Sequence, residues 1–535
     1  MDLTDRITGL PVELLGEIFS CWSADFPDAP LAIRSVCRAL YVVTEVTPHL
    51  WTNLKIVARD DATAAQKAAY WFTKSGACAM LLSITMDDSG GGGRYVTLST
   101  TLAQYRTRIA SLTVHAQTEK HVQLFLSSIY LSTGAPLDVS LYRYTLRLAV
   151  RVDNDYTTPD TVPLFPPLSA PLLLVLNLAT PTVPDLSTIN FASLQSLCIA
   201  RPIRSSPVPM EMILGALSAS PCLRDFHLET RFNLSSEPVQ PPEHRRTPLI
   251  TLLKLTSLSL RTNLNPALLN VLVLPELRAL HLNALDGRRP GRAEETASAL
   301  RLLLIRMDDP SVTLSNPSVE RGILELALSG VAITRPCSAI ARNELWEWCF
   351  RRMRSLRRIT ARNMDTEHLV ELLAQGMGRL SAPAYMRLGH GSEGSADTGE
   401  RMDDAVCPRL EYLGVPLPEA SAAMKAFRVA RPYVKVRALG YGFNTYSSED
   451  ALRARRLNVN VRAEETDMNG AVMDVVGSRK PTSGPLDLDA RGVSAEALEL
   501  SKPVEPSAVE APPTPRVIVG GFGFGSPFAR RRPRP

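Results

Sequence analysis

Apolar residues near the start of the chain recur at helical spacing. Between residues 10 and 22 they follow one another at steps of three and four: Leu14, Leu15, Ile18, Phe19 and Trp22. Pro11 suits the first position of a helix, because its missing N–H would have no helical partner anyway. Glu13 falls in the first turn, where the helix dipole favours an anion. The sequence therefore predicts a short amphipathic helix that begins at Pro11.

A second apolar run follows Pro30 at the same spacing, and Pro48 ends the helix that carries residues 41–46. The run consists of Leu31, Ile33, Val36, Cys37 and Leu40. Three short helices in about fifty residues bury only part of this apolar surface among themselves. We expect the remaining apolar face to contact a partner.

A helix and a strand are predicted next. Residues 62–75 place Ala65, Ala68, Ala69 and Phe72 on one side of a helix, which Gly76 closes as a C-cap. Residues 80–86 are a strand rich in apolar residues.

A short pattern, L-x-x-L-x-L, recurs eight times between residues 172 and 415. Its first positions are Leu173, Leu194, Leu223, Leu255, Leu277, Ile323, Leu356 and Leu410. Apolar alternation of this kind predicts a strand with one buried side, and a unit that cannot bury its own face must stack on its neighbours. The spacing varies from 21 to 54 residues, and only residues 255–263 complete the pattern with an asparagine. Long gaps can hold helices, such as residues 293–307. A non-repeating α/β domain is the alternative.

The composition favours an ordinary globular protein. The chain has 535 residues, of which 45% are hydrophobic and 21% charged, enough for two or three domains. Four arginines at positions 530–532 and 534 supply most of the net charge of +5, so we expect no nucleic-acid partner for the folded part. The N-terminus lacks a signal-peptide pattern, and no apolar stretch approaches eighteen residues. We therefore expect no membrane partner and a cytoplasmic or nuclear location.

Cysteine and histidine usage predicts neither disulfides nor metal sites. The eight cysteines contain no C-x-x-C pair and often lie in apolar runs, which is typical of reduced core thiols. The eight histidines form no zinc-binding spacing. We expect no cofactor. The glycine-rich segments 90–93 and 389–394 are interpreted as loops, although the latter, with Ser392, comes within a position of a nucleophile elbow.

From about residue 462 the chain is rich in Pro, Gly, Ser, Ala and Glu and poor in aromatics. Such a segment cannot bury enough apolar area to offset its ordering entropy. Three regions are predicted: an all-α module in residues 1–55, an α/β repeat-like domain in residues 56–455 and a disordered tail in residues 456–535.

The N-terminal module resembles the F-box, which docks a protein onto the Skp-type adaptor of a cullin-RING ubiquitin ligase. The resemblance rests on five ordered elements over residues 10–51: Leu10-Pro11, Glu13-Leu14, Ile18-Phe19, Val36-Cys37-Arg38 and Leu50-Trp51. It implies that adaptor-binding residues are Leu10, Pro11, Leu14, Ile18, Phe19, Val36, Cys37 and Trp51. Leu40 departs from the family, which often has tryptophan there. The helix and strand of residues 62–86 resemble the segment after the F-box in many proteins of mushroom-forming fungi.

The repeated pattern resembles an irregular leucine-rich repeat solenoid. The resemblance implies partner binding on the solvent side of the strands, at Asp225, His227, Ser257, Ser259, His281, Arg358, Thr360 and Tyr412. The sequence thus predicts an α/β fold and a non-catalytic substrate receptor of a ubiquitin ligase, which holds an unknown protein and reaches the cullin through the adaptor. Two alternatives stay open: a scaffold that uses the adaptor outside a ligase, and a serine hydrolase around Ser392.

Overall fold

The computed structural model describes residues 9–86, 95–130, 146–153, 164–165, 172–202, 205–233, 249–285, 292–308, 322–331, 333, 343–378, 406–416 and 421–439. All of them belong to one compact unit, Met1–Arg453. The predicted tail, residues 456–535, lies outside the described residues, and so does the loop that carries Ser392.

Thirteen strands form one sheet, and every neighbouring pair in it is parallel. The order across the sheet follows the order along the chain: β1 (Asn53–Ala58), β2 (Met80–Met86), β3 (Ile109–Ala116), β4 (Leu146–Val152), β5 (Leu173–Ala179), β6 (Ser196–Ala200), β7 (Asp225–Thr230), β9 (Ser257–Thr262), β11 (Ala279–Ala284), β12 (Glu325–Ser329), β13 (Arg358–Arg362), β14 (Tyr412–Val415) and β15 (Lys435–Ala438). Two short strands, β8 (Ile250–Thr251) and β10 (Leu272–Val273), pair separately.

Twelve α-helices lie in the described ranges: α1 (Val12–Asp25), α2 (Ala29–Val36), α3 (Arg38–Val46), α4 (Asp61–Lys74), α5 (Val96–Gln104), α6 (Glu119–Tyr130), α7 (Met210–Ser218), α8 (Asn265–Val271), α9 (Arg292–Met307), α10 (Asn343–Arg352), α11 (Thr366–Gly378) and α12 (Ala422–Ala430). The predicted α/β class is confirmed. None of the helices in these ranges has the length and apolar character needed to cross a bilayer.

Alternation of apolar and polar residues gives the sheet one buried side. In β7 and β9 every second residue is buried, and the inward residues Phe226, Leu228, Leu258 and Leu260 are almost fully inaccessible. These side chains belong to a hydrophobic core that also contains buried residues of the helices. The opposite side of the sheet carries the partly exposed residues; we call it the open face.

Several local predictions agree with the structure. The predicted strand at residues 80–86 is β2, and the predicted helix at residues 62–75 is α4, shifted by one residue. Gly76 has φ +55° after that helix, a left-handed conformation that favours glycine. In α9 the predicted inward face is buried, from Ala297 to Met307.

Two predictions need correction. The apolar run after Pro30 is not one helix, because Cys37 is extended (φ −157°, ψ 167°) and separates α2 from α3. The sheet also begins much earlier than residue 172. Four strands precede β5, and the first of them, β1, crosses the predicted boundary at residue 55. The N-terminal helices therefore continue directly into the sheet.

Candidate interaction surfaces

Helix α1 carries apolar residues on two adjacent stripes. Leu15 and Phe19 are buried in the core, whereas Leu14 and Ile18 are 48% and 53% exposed. Trp22 follows at the next step of four and is also exposed. A helix that needed only to pack on the rest of the chain would carry polar residues on the outer stripe. The outer stripe of α1 therefore has the character of a contact surface.

Exposed apolar residues are concentrated in this part of the molecule. More than half of the exposed large hydrophobic residues in the described ranges lie between positions 10 and 46: Leu10, Val12, Leu14, Ile18, Trp22, Phe26, Leu31, Val36, Tyr41, Val42 and Val46. We call these residues the N-terminal apolar surface. Single exposed hydrophobic residues are common on proteins, but a concentration of this kind is typical of an interaction site.

The structure separates the eight predicted adaptor-binding residues into two groups. Leu10, Pro11, Leu14, Ile18 and Val36 are exposed, and Cys37 is partly buried. Phe19 and Trp51 are buried, which corrects their assignment as contact residues. Both side chains pack in the hydrophobic core and are not available for contact with an adaptor.

Trp51 anchors the N-terminal helices to the sheet domain. Its ring packs edge-to-face against Tyr70 and Trp71 of α4, with centroids 5.5 and 5.3 Å away. Its indole N–H donates to the Thr44 carbonyl at 2.8 Å, which satisfies the buried polar atom. Burial of so large a side chain stabilises the contact by about 3 kcal/mol.

Polar contacts fix the same junction. The Asn53 amide donates to the Ser23 carbonyl at 3.2 Å. The Lys74 ammonium donates to the Glu45 carboxylate, and this hydrogen bond raises the pKa of Lys74 above its ordinary value. The N-terminal apolar surface is therefore held in a fixed orientation relative to the first strands.

The second candidate surface is the open face of the sheet. The strand register places the predicted residues in two rows that cross neighbouring strands. One row is Asp225, Ser257, Ala279, Glu325, Arg358 and Tyr412, and the next is His227, Ser259, His281, Ala327, Thr360 and Gly414. All eight predicted substrate-binding residues lie in these rows. Whether they bind a partner stays a prediction.

Polar contacts connect side chains along the open face. His227 Nδ1 lies 2.9 Å from Ser259 Oγ, and Arg358 makes a 3.0 Å ion pair with Glu325. The Arg358 guanidinium also lies over the Tyr412 ring, 5.4 Å from its centroid. Glu325 was missed by the sequence reasoning because only the register of β12 against β13 reveals its pairing with Arg358.

A further row contains an ion pair with a perturbed carboxylate. Arg261 Nη1 lies 2.6 Å from Glu229 Oε1, and both side chains are largely buried. Burial raises the pKa of Glu229, and the nearby Arg261 opposes that shift. Neither group was predicted as a site residue, since each is unremarkable in sequence.

The described cysteines are all free thiols. Burial raises the pKa of Cys349 and of Cys407 to about 12, so both thiols stay protonated at neutral pH. Cys21 is exposed, which corrects its interpretation as a core thiol. Within the described ranges, no group of three His, Cys, Asp or Glu side chains is placed to hold a metal ion.

Asn263 makes the contact that links two successive strands at their ends. Its side-chain oxygen accepts from the Phe232 N–H at 2.8 Å, and its amide donates to the Phe232 carbonyl at 3.1 Å. The residue is buried, and this pair of hydrogen bonds satisfies the backbone N–H and carbonyl of Phe232 in the preceding unit.

Neither a scan against models of known protein families nor a search of curated proteins finds a match for this chain.

Proposed function

We propose that this protein is a substrate receptor of a cullin-RING ubiquitin ligase. In this proposal residues 10–51 act as an F-box that binds a Skp-type adaptor, and the sheet domain acts as an irregular leucine-rich repeat array that binds the protein to be ubiquitinated. The observation that carries the proposal is the exposure of Leu14 and Ile18 on the outer stripe of α1, together with Leu10 just before that helix, in the order of the F-box resemblance.

The size of the N-terminal apolar surface is sufficient for such docking. Burial of one large apolar side chain contributes about 1.5–3 kcal/mol. Association costs roughly 4–15 kcal/mol in lost rigid-body freedom. Five or six buried side chains therefore offset that cost, and the surface offers that many candidates.

The repeat interpretation is supported by the way the strands follow each other. Each unit adds one parallel strand beside the previous one, in chain order, as expected when repeats stack on their neighbours. The hydrogen bonds of Asn263 to Phe232 give a physical role to the one complete L-x-x-L-x-L…N pattern. The irregular repeat lengths are accommodated by the different helices between the strands.

The proposed mechanism is proximity. The adaptor fixes the receptor to the ligase, and the receptor holds its substrate near a separate enzyme that transfers ubiquitin. The Trp51 contacts support this role, because they transmit the orientation of the adaptor to the substrate-binding domain. In this mechanism no residue of the chain takes part in a chemical step.

Adaptor binding tests the proposal directly. We expect Leu10→Ala with Pro11→Ala and Ile18→Ala to abolish co-precipitation of a Skp-type adaptor, because central apolar contacts typically contribute about 2 kcal/mol or more each. Leu81→Ala on β2 is the matched control, since Leu81 is 47% exposed but lies outside the N-terminal apolar surface. Undiminished binding by the triple variant would refute the F-box assignment.

Co-purification separates the ligase from an adaptor-linked scaffold. A ligase receptor should retain both the adaptor and the cullin when it is isolated from cells. Recovery of the adaptor without the cullin, at native expression, would favour the scaffold. In both cases the triple variant should lose the adaptor.

A further inference from the structure

The last three strands of the described sheet carry charge of one sign on the open face. Arg358, Arg362, Lys435 and Arg437 lie on β13 and β15, and the three strands β13–β15 contain no carboxylate. The register against Tyr412 and Gly414 of β14 sets Lys435 and Arg437 on the same side as Arg358. We call these four residues the basic end of the open face.

Two carboxylates, Glu325 and Glu411, form ion pairs with arginines of β13 or directly before it. Glu325 of the neighbouring strand pairs with Arg358 in a contact that is about half exposed on both sides. Glu411 lies just before β14 and pairs with Arg357, which adds no net charge. Exposed pairs of this kind exchange partners at little cost, because each is worth about 1 kcal/mol or less.

Contacts of the Tyr412 ring order the side chains at the basic end. A Cβ at Gly414 would lie only 3.2 Å from Tyr412 Cε1 and 3.2 Å from Thr360 Cγ2, so the Tyr412 ring lies against the glycine. The Arg358 guanidinium lies over that ring, which limits the freedom of the side chain. An arginine held in this way loses little entropy when it binds a carboxylate.

We propose that the basic end of the open face binds an acidic, extended segment of the protein substrate. This inference rests on the proposed function and deepens it, because it names the class of substrate. Lys435 and Arg437 are spaced two residues apart on one strand, roughly 7 Å, which is the spacing of carboxylates on alternate residues of an extended peptide. Arg358 and Lys435 lie two strands apart, about 10 Å, so two neighbouring parts of the same segment reach both.

An acidic protein segment fits this surface better than a single-stranded nucleic acid. Binding of unpaired bases relies on aromatic side chains with open faces. Tyr412 is the single aromatic residue of β13–β15, and its ring is occupied by Arg358 and Gly414. The exposed Tyr433, two residues before Lys435, offers one open ring beside these strands, whereas binding of successive unpaired bases uses several such rings.

The sheet contains a matched control for this charge. Arg147 and Arg151 on β4 have the same spacing as Arg358 and Arg362 on β13, and the register places them on the open face as well. Arg151 pairs with Asp153 at 3.1 Å, as Arg358 pairs with Glu325. The two double variants Arg358→Glu/Arg362→Glu and Arg147→Glu/Arg151→Glu thus reverse the same number of charges at the same spacing on the open face.

Fluorescence anisotropy of the full chain with a labelled Glu-Ser repeat peptide tests the proposal; about ten residues of such a peptide span roughly 30 Å. We expect the wild type to bind it, to ignore a Lys-Ser repeat peptide and to lose affinity as salt is added. The β13 double variant should bind about tenfold more weakly, and the β4 double variant should stay within about twofold of wild type. The double variant Lys435→Glu/Arg437→Glu should lose affinity for the peptide to a similar extent. Because this variant changes β15 and leaves β13 intact, the same loss could not come from a local folding defect on β13.

Three results would overturn the proposal. They are no binding of the Glu-Ser peptide by the wild type, equal losses in the β13 and β4 variants, or tighter binding of an oligouridine that the β13 variant abolishes. Adaptor binding is measured on the same samples. A wild type that binds the adaptor but not the peptide refutes this inference alone, and one that binds the peptide but no adaptor refutes the proposed ligase function.

Discussion

At the scale of single residues, Asp60 links sequence to stability through a helix cap. Its carboxylate accepts from the Thr63 N–H at 2.7 Å at the start of α4. Hydrogen bonds from the Thr63 side chain and backbone lower the pKa of Asp60 below 3.8. Because the folded-state pKa is depressed, the carboxylate stabilises the fold above its ordinary pKa, and this contribution is lost as the pH falls through the folded-state value.

Two variants separate the charge of Asp60 from its capping oxygen. At neutral pH we expect Asp60→Ala to lower the Tm, and Asp60→Asn to stay close to wild type because asparagine caps equally well. As the pH falls below 3.8, the Tm difference between wild type and Asp60→Ala should shrink, while that between Asp60→Asn and Asp60→Ala persists. Calorimetric scans from pH 7 to about pH 3 provide the measurement. A Tm difference between wild type and Asp60→Ala that did not change with pH would contradict this account.

Buried arginines are the residues that the sequence predicts least well. Arg201 donates to the carbonyls of Pro181 and Ser206, and burial lowers its pKa to about 10. Nothing in its sequence neighbourhood distinguishes it from an exposed arginine. Its role depends on loops that meet only in the folded chain. The inward leucines, in contrast, are predictable because their alternation is a local property.

At the scale of elements, a second buried arginine ties the last helices together. Arg431 follows α12 and donates to the carbonyls of Leu373 in α11 and of Val406 and Cys407 before β14. The Cys407 carbonyl also accepts from the Leu410 N–H at 3.2 Å, so removal of Arg431 would not leave all three carbonyls without a donor. Each buried group that did lose its partner would cost about 1–3 kcal/mol. Arg431 therefore connects α11, α12 and the segment before β14 through one side chain.

Replacement of Arg431 should reduce the stability of the fold much more than replacement of the nearby Arg428. We expect Arg431→Met to reduce the free energy of unfolding by roughly 3 kcal/mol and to increase hydrogen exchange in β14 and β15. Arg428→Met, in the exposed last turn of α12, should change it by less than about 0.5 kcal/mol. Urea unfolding of both variants tests the difference. Equal effects would indicate that the carbonyls find other partners.

The elements that the sequence missed also have a physical explanation. Strand β3 does follow the repeat pattern, with Ile109, Leu112 and Val114 inward, so it was detectable. In β4 and β2 the leading apolar residues are Leu146 and Met80, each one position closer to the next inward residue than the pattern requires, and the register shifts at both places. The strict spacing therefore misses β4, and it does not connect β2, which was predicted as a strand, with the repeated pattern. The break at Cys37 was hidden because apolar spacing continues across it, although the backbone there is extended.

At the scale of the molecule, a single core joins the N-terminal helices to the sheet. Leu15, Ile33 and Leu50 belong to the same cluster as Leu54 and Phe427. The sequence predicted the α/β class and the presence of repeated strands, but it separated the first module at residue 55. A boundary drawn from motif length alone cannot detect that Trp51 packs against α4.

The predicted tail, residues 456–535, lies outside the described part of the chain. Residues 462–535 are rich in Pro, Gly and Ser and have no sustained apolar period, so we predict that they contribute almost nothing to the stability of the folded unit. Their deletion should leave the melting transition and the adaptor affinity unchanged. The one function that we predict within the tail is that of the arginines at positions 530–532 and 534, whose charge would assist nuclear import or a loose electrostatic contact that weakens with salt. Hydrogen exchange on the full chain provides the decisive measurement, because protected amides between residues 470 and 528 would mean that a packed segment had been mistaken for a tail.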